Sequence, residues 1–200
     1  MKKIFLSVVL SVLTLFAFSS TPPHIITSSV NVESSTIKWV GSKVASSHEG
    51  NVSIIKGALS IDHGTLVGGD FAIDMNSITC TDIKSEKKNN YLVEHLKDED
   101  FFNTKSFPIA EIKIVNAIKQ DKEGVYTIIA DLTIKGITHP VSFVSNVLID
   151  GKNFEADAKI EIDRTKWDIR YGSGSFFEDL GDKMILDTIV FDVFLTSQER

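Results

Sequence analysis

The amino-acid sequence predicts an all-β fold, an antiparallel barrel of about eight strands with one helical insertion at about residues 82–97. Most of the chain after residue 36 alternates between apolar and polar residues, the pattern of strands with one buried face. The interruption is a charged stretch without glycine or proline. A barrel is favoured over a β-sandwich because closure removes exposed edges from long strands. Alternation alone does not distinguish the two, since both bury one face.

A hairpin is predicted between Gly124 and Ile149. Two alternating runs flank a short break, in which Gly136 frees the backbone for a turn. Pro140 cannot donate a ladder hydrogen bond, so it is expected at a strand start or on an edge. The inward residues of the two strands are predicted to be Tyr126, Ile128, Ala130, Leu132 and Ile134 in the first, and Val141, Phe143, Ser145, Val147 and Ile149 in the second.

Further strands are predicted on both sides of this hairpin. Residues 21–33 are rich in proline, serine and threonine, and we expect them to be a linker to a first strand around Trp39. A second strand is expected from Gly50 to Asp62, with Gly57 at a bulge or a close approach. The other strands are predicted to turn inward Phe71, Ile73 and Met75; Ile112, Ile114 and Ile118; Phe154, Ala156, Ala158, Ile160 and Ile162; and Ile189, Phe191, Val193 and Leu195.

The predicted helix begins near Asp82, with Asp82 or Ser85 as its N-cap, and ends near Asp98. Leu92 and Leu96 lie one turn apart and supply its apolar side. A second irregular region, residues 165–187, has no task that the sequence assigns. Aromatic residues are frequent in the predicted loops: Phe101, Phe102, Phe107, Trp167, Phe176 and Phe177.

The first 20 residues have the pattern of an export signal. Lys2 and Lys3 supply the positive end, and an apolar run from Ile4 to Phe18 follows, with small residues near Ser19. The alternative is a membrane anchor, but the run is shorter than the roughly 20 residues that a spanning helix needs. We therefore expect an exported protein that has no membrane span after cleavage.

Charge and cysteine content restrict the function classes. The net charge is −6 and no long run of Lys or Arg occurs, which argues against a nucleic acid partner. Cys80 is the single cysteine, so an internal disulfide is excluded. We expect Cys80 to be a small, semi-buried residue, and a catalytic thiol is the alternative.

No sequence pattern typical of catalysis or metal binding is present. The five histidines lack metal-ligand spacing, and no nucleophile elbow or phosphate-binding loop occurs. We therefore predict no enzyme activity, no metal and no cofactor, and interpret the neighbouring Asp163 and Arg164 as a structural ion pair. A lipid-modifying hydrolase or isomerase is the alternative, and it requires His48, His139, Asp163 and Arg164 to converge on a pocket.

Apolar capacity is the feature that remains. An eight-stranded barrel is just wide enough either to fill itself or to hold one small ligand, and inward alanines favour a cavity. If larger neighbours fill that space, the chain is instead a filled-barrel, stress-related interaction module. A cavity would suit hydrocarbon, because each buried methylene contributes about 0.8 kcal/mol. The candidate ligand-binding residues are Trp39, Phe71, Ile73, Leu92, Phe101, Phe102, Ile128, Ala130, Leu132, Phe143, Ala156, Ala158, Ile160 and Phe191.

Six stretches in this order resemble the YceI-like family: Ile37–Lys43, Ser47–Gly50, Asn76–Ile78, Leu96–Phe102 with Phe107-Pro108 after it, Asp131–Val141 and Ile162–Arg164. The resemblance covers about Ser34 to Ser197. It implies an extended lipocalin-like barrel at residues 34–198, in an exported, periplasmic protein without established enzyme activity. It also implies an apolar lipid as ligand: an isoprenoid quinone, a polyprenyl chain or a fatty amphiphile. The oligomeric state stays open.

Overall fold

The computed structural model describes residues 24–197, which form one closed antiparallel sheet and one α-helix. The predicted export signal at residues 1–20 lies outside the described residues. The helix, α1, spans Glu86–Lys97. The strands are β1 Ile25–Ser29, β2 Thr36–Lys43, β3 Ser47–Asp62, β4 Thr65–Asp74, β5 Ile109–Lys119, β6 Val125–Ile134, β7 Ile137–Asp150, β8 Asn153–Asp163 and β9 Ile185–Thr196.

The eight strands β2 to β9 close into a barrel, which confirms the predicted fold class. β3 pairs with β2 on one edge and with β4 on the other, and the remaining strands follow in the order β9-β8-β7-β6-β5 between them. All nine strand pairings in the described residues are antiparallel. The inward side chains of the eight strands form a single hydrophobic cluster.

The segment that we predicted to be a linker contains a strand. β1 pairs with the second half of β3, from Ala58 to Asp62, beyond the point where β2 has ended. The prediction of a linker was wrong for Ile25–Ser29, because a ladder is made by the backbone and tolerates polar side chains. Ser28 is buried and its hydroxyl donates to the Lys152 carbonyl, which fixes the strand against the β7–β8 turn.

β3 confirms the prediction made for Gly57. The register of β3 against β4 shifts between Ile54 and Lys56, so a bulge lies next to this glycine. A Cβ atom at Gly57 would lie 2.2 Å from Cδ1 of Phe71. The glycine therefore makes room for an aromatic ring that turns into the barrel.

β5 contains a bulge that the alternation did not predict. Its register against β6 shifts between Ile114 and Asn116. The inserted residue reverses the faces, so Ala117 packs against the core while Ile118 is 44% exposed. The prediction that Ile118 shares the inward face of Ile112 and Ile114 was therefore wrong.

The β6–β7 hairpin has the predicted form. Lys135 and Gly136 have φ of 51° and 72°, the two positive values that a two-residue turn of type I′ requires. The predicted inward residues of β6 are all buried. Pro140 pairs with Asp131 in a part of β7 that has no ladder to β8, which agrees with an edge position.

Helix α1 begins at Glu86, four residues later than predicted. Ser85 occupies the N-cap position, but its hydroxyl makes no capping hydrogen bond. Asp82 is not a cap, because its carboxylate accepts hydrogen bonds from His48 Nδ1 at 2.8 Å and from the Glu49 amide at 3.0 Å. The residues before the helix thus tie it to the start of β3.

We predict that Gly50→Ala lowers the free energy of unfolding by about 1–3 kcal/mol, the usual cost of overpacking. A Cβ atom at this position would lie 1.8 Å from the carbonyl oxygen of Thr79, and backbone atoms there cannot move independently. Gly68→Ala is the control, since its nearest neighbour, Ser60 Cβ, would lie 3.7 Å away. Urea denaturation of both variants measures the effect, and equal stability of the two would contradict it.

Candidate functional site

The interior of the barrel holds an apolar cavity. The space that the centres of water-sized molecules can occupy is about 210 Å³, more than ten times the roughly 10–15 Å³ that one water requires. Apolar side chains from all eight barrel strands line it, and Leu92 and Leu96 of α1 complete the lining. The barrel is therefore hollow. This contradicts the filled-barrel alternative, which requires side chains to occupy the interior.

The predicted site residues come together in this cavity, with one exception. Ala130 is fully buried but does not contribute to the lining. Its register partners are Ile114 and Val141, whose larger side chains extend further inward than a methyl group. The other predicted site residues all line the cavity: Trp39, Phe71, Ile73, Leu92, Phe101, Phe102, Ile128, Leu132, Phe143, Ala156, Ala158, Ile160 and Phe191.

Several lining residues were not predicted as site residues. Val52, Ile54 and Leu59 of β3 and Leu66 of β4 are buried and reach the cavity. Val52 and Ile54 follow period two, a signal that was available, but the bulge after Ile54 shifts Leu59 out of the same alternation. Val52 and Ile54 could therefore have been predicted from the alternation, whereas Leu59 lies beyond a bulge that changes which residues face inward.

Aromatic residues and the helix cover one end of the cavity. Leu96, Phe101 and Phe102 are each less than 10% exposed and line the cavity at this end. Backbone hydrogen bonds hold this segment, including one from the Phe102 amide to the Leu96 carbonyl at 3.1 Å. The ring of Phe101 lies 5.8 Å from the guanidinium carbon of Arg164. Packed side chains of the helix and of Phe101 and Phe102 thus cover this part of the cavity.

Arg164 is fully buried at the same end. Its guanidinium donates to the carbonyls of Ile169, Ile185 and Leu186 at 2.8–3.1 Å, and its ion pair is with Asp187 at 3.3 Å. Burial lowers the pKa of Arg164 and Asp187 opposes that effect. The predicted pair with Asp163 was wrong, because the Asp163 carboxylate accepts from Thr165 instead. Arg164 thus ties the segment after β8 to the start of β9.

Polar groups line the cavity at the β2–β3 turn. They are Ser42, Lys43, Ser46 and His48. His48 is oriented by Asp82, which bonds its Nδ1 atom and leaves Nε2 available for another partner. We call these four residues the polar rim. An otherwise apolar cavity with a polar rim fits an amphiphile that has an oxygen-bearing head.

The four side chains of the enzyme alternative do not form a constellation. His139 Nε2 bonds the Lys166 carbonyl, and His48 bonds Asp82. Arg164 and Asp163 bond other groups, as described above. No hydrogen bond within residues 24–197 joins any two of these side chains. Only His48 and Arg164 reach the cavity, and Arg164 already has its partners.

The surroundings of Cys80 and the spacing of possible metal ligands are two other features that bear on chemistry within residues 24–197. Cys80 is buried and unpaired with another cysteine, and its thiol donates to Asp82 at 3.2 Å. Burial raises the pKa of Cys80, which disfavours the nucleophilic thiolate. In the part of the chain that the structure describes, no three His, Cys, Asp or Glu side chains are grouped as metal ligands.

Comparison with known proteins places the chain in a family. Residues 29–196 match the YceI-like domain. The chain belongs to the YceI-like family. Two UPF0312 proteins are related to it over part of their length, one from Photorhabdus laumondii (31% identity over 77 residues, 34% of this chain and 39% of the relative) and one from Shewanella denitrificans (28% over 105 residues, 52% and 51%). The chain thus spans about half or less of these relatives.

Solved structures of low sequence identity share the YceI-like fold. Burkholderia cenocepacia BcnA aligns with a TM-score of 0.67 and 19% identity, over 84% of this chain and 99% of that protein. A polyisoprenoid binding domain from Saccharophagus degradans, implicated in plant cell wall breakdown, aligns with a TM-score of 0.62 and 16% identity, over 86% and 98%. These likenesses agree with the extended barrel that the resemblance predicted.

We predict that the His48–Asp82 pair stabilises the fold in a defined pH range. Burial raises the pKa of Asp82, but hydrogen bonds from His48, the Glu49 amide and Cys80 outweigh this and lower it from 3.8 to about 2. Because the folded-state pKa is depressed, the stabilisation is complete above about pH 4 and is lost as the pH falls towards 2. Asp82→Asn should therefore reduce stability by about 1–2 kcal/mol near neutral pH, allowing for solvent screening.

Urea denaturation of the wild type and Asp82→Asn between about pH 6 and about pH 2 checks this prediction. The difference in the free energy of unfolding between the wild type and Asp82→Asn should shrink as the pH falls from about 4 to about 2. Asp70→Asn, at another strand position of the barrel, serves as the matched control. A difference between wild type and Asp82→Asn that stays constant down to pH 2 would show that the carboxylate charge contributes nothing.

Proposed function

We propose that this protein is a non-catalytic binding protein that holds a polyisoprenoid or similar apolar lipid chain inside its barrel. The observation that carries the proposal is the apolar cavity of about 210 Å³ within a closed YceI-like barrel. A polyisoprenoid binding domain with the same fold supports this choice of ligand class. An isoprenoid quinone, a polyprenyl chain and a fatty amphiphile are the ligands that match both the cavity and its rim.

Burial of hydrocarbon supplies the affinity in this proposal. Each methylene removed from water contributes about 0.8 kcal/mol, so a few isoprene or acyl units suffice without polar contacts. The polar rim then orients the ligand, with an oxygen-bearing head near Lys43 and His48 and the chain directed towards the interior. Such a site needs no catalytic side chains, and the separate bonding of His48, His139, Asp163 and Arg164 supports a role without catalysis.

Export is part of the same proposal. Lys2, Lys3 and the apolar run that follows have the order of a cleavable signal. No helix in residues 24–197 has the length and hydrophobicity to cross a bilayer. We propose that the barrel acts after export, in the periplasm, where a lipid chain must be shielded from water between membranes.

The ligand itself is the direct test. We expect organic extraction of protein purified from its native host, followed by mass spectrometry, to yield an apolar chain with an oxygen-bearing head. Protein from the same host that is unfolded and washed before extraction controls for adhering membrane lipid. Repeated preparations of folded protein without stoichiometric lipid would count against the proposal.

We predict that Ala158→Phe lowers lipid affinity at least tenfold, because the new ring occupies space that Ala158 leaves free between Ser145 and Val193. Leu148→Phe adds a similar ring on the outer face of the same region, where Leu148 is 65% exposed, and should bind lipid as the wild type does. Titration with a fluorescent polyprenol measures both affinities, and melting temperatures verify folding. Equal binding by the two variants would place the ligand outside the barrel.

A further inference from the structure

The wall of the barrel is not continuously hydrogen-bonded between β7 and β8. β7 pairs with β6 from Ile137 to Asn146, but it pairs with β8 only from Ser145 to Asp150. β8 nevertheless pairs with β9 as far as Asp163. Within the described chain, residues 137–144 of β7 and 159–163 of β8 thus have no ladder to each other. We call this gap the β7–β8 seam. Its upper end lies beside the β6–β7 turn at Ile137, and its lower end lies at Ser145, where the ladder begins.

Pro140 gives the seam a local cause. The hairpin turn closes at the pair Ile134–Ile137, and in an antiparallel ladder the backbone groups of alternate residues point to opposite sides. This alternation directs the backbone of Pro140, Ser142 and Val144 away from β6 and towards the seam. Pro140 has no N–H to donate, so a ladder to β8 cannot be complete there.

The upper part of the seam is occupied by the residues that follow β8. Trp167 is 1% exposed, and its indole N–H donates to the Leu132 carbonyl of β6 at 3.2 Å. The imidazole of His139 packs edge-on against the indole, with ring centres 5.4 Å apart, and bonds the Lys166 carbonyl. These contacts fix the two sides of the seam at its upper limit.

The lower part of the seam connects with the cavity. Ser145 marks its lower limit, where the hydroxyl donates to the Asp157 carbonyl at 2.9 Å. Phe143 and Ile160 flank the gap above this point, line the cavity and are only partly buried. Asp157 is an exposed, outward residue and yet also borders the cavity. Its backbone carbonyl is the group that accepts the Ser145 hydrogen bond, so the paired ladder begins directly below the seam.

Passage through the helix end would disrupt much more structure. It would require Leu96, Phe101 and Phe102 to leave the core and the bonds of Arg164 to break. Separating β7 from β8 above Ser145 breaks no ladder hydrogen bond. Opening the seam below the Trp167 contacts therefore costs fewer hydrogen bonds and buried contacts than opening the helix end.

We propose that the ligand enters and leaves the cavity sideways, through the β7–β8 seam. This rests on the proposed lipid-binding function and adds a ligand class to it. A flexible linear chain passes between two unpaired strands, whereas a rigid fused-ring lipid does not. The seam thus selects linear isoprenoid or acyl chains over sterol-like molecules.

Cross-linking the seam tests the proposal. Val144 and Lys159 are exposed and would be the next pair if the β7–β8 register continued. In a Cys80→Ser background, Val144→Cys and Lys159→Cys are joined by a short bis-methanethiosulfonate reagent, which dithiothreitol removes. We expect the link to slow transfer of dansyl-labelled geranylgeraniol to phosphatidylcholine vesicles at least tenfold, with equilibrium affinity within twofold. Reduction should restore the rate.

The control uses the paired half of the same two strands. Leu148→Cys and Glu155→Cys lie at a register pair, and linking them should leave the transfer rate unchanged. Equal rates before and after linking the seam, with binding intact, would overturn the lateral route. If the Cys80→Ser parent binds no probe, the proposed function fails and the lateral route fails with it.

Discussion

The closure of the sheet by β3 is the constraint on which the rest of the structure depends. This strand has 16 residues, and two successive segments pair along each of its edges. On one edge they are β2 and then β1, and on the other they are Thr79–Thr81 and then β4. Closure satisfies the backbone groups without filling the centre, because inward side chains meet only across the width of the barrel. Closure is therefore compatible with a hollow apolar interior.

In the proposed function, the same construction separates affinity from selectivity. The interior offers hydrocarbon contacts that any chain can use, so it distinguishes poorly between ligands. In the proposed function, discrimination comes from places where the wall is interrupted, and residues 24–197 contain the polar rim around His48 and the seam beside Pro140. The aromatic end around Phe101 and Phe102 has a different task, since it is tied by Arg164 and by the chain after α1.

The predictions from sequence succeeded where the period of two was unbroken. The inward faces of β6 and β8 follow the alternation residue by residue, and Lys135–Gly136 forms the turn that the glycine indicated. They failed at irregularities. One extra residue near Val115 turned Ile118 outward, and polar β1 was taken for a linker because its partner strand was unknown. Bulges and backbone pairing depend on neighbouring strands, which a local pattern does not contain.

The sequence by itself determined the strands, the helix and an apolar inward face, because these follow from the alternation of side chains along each strand. Only the tertiary structure decided that the barrel is hollow and that Ala130 is covered while Ala156 and Ala158 border free space. It also decided where the wall is left unpaired. Both outcomes depend on how strands curve and meet across the barrel, and that distance is set by the closed sheet as a whole.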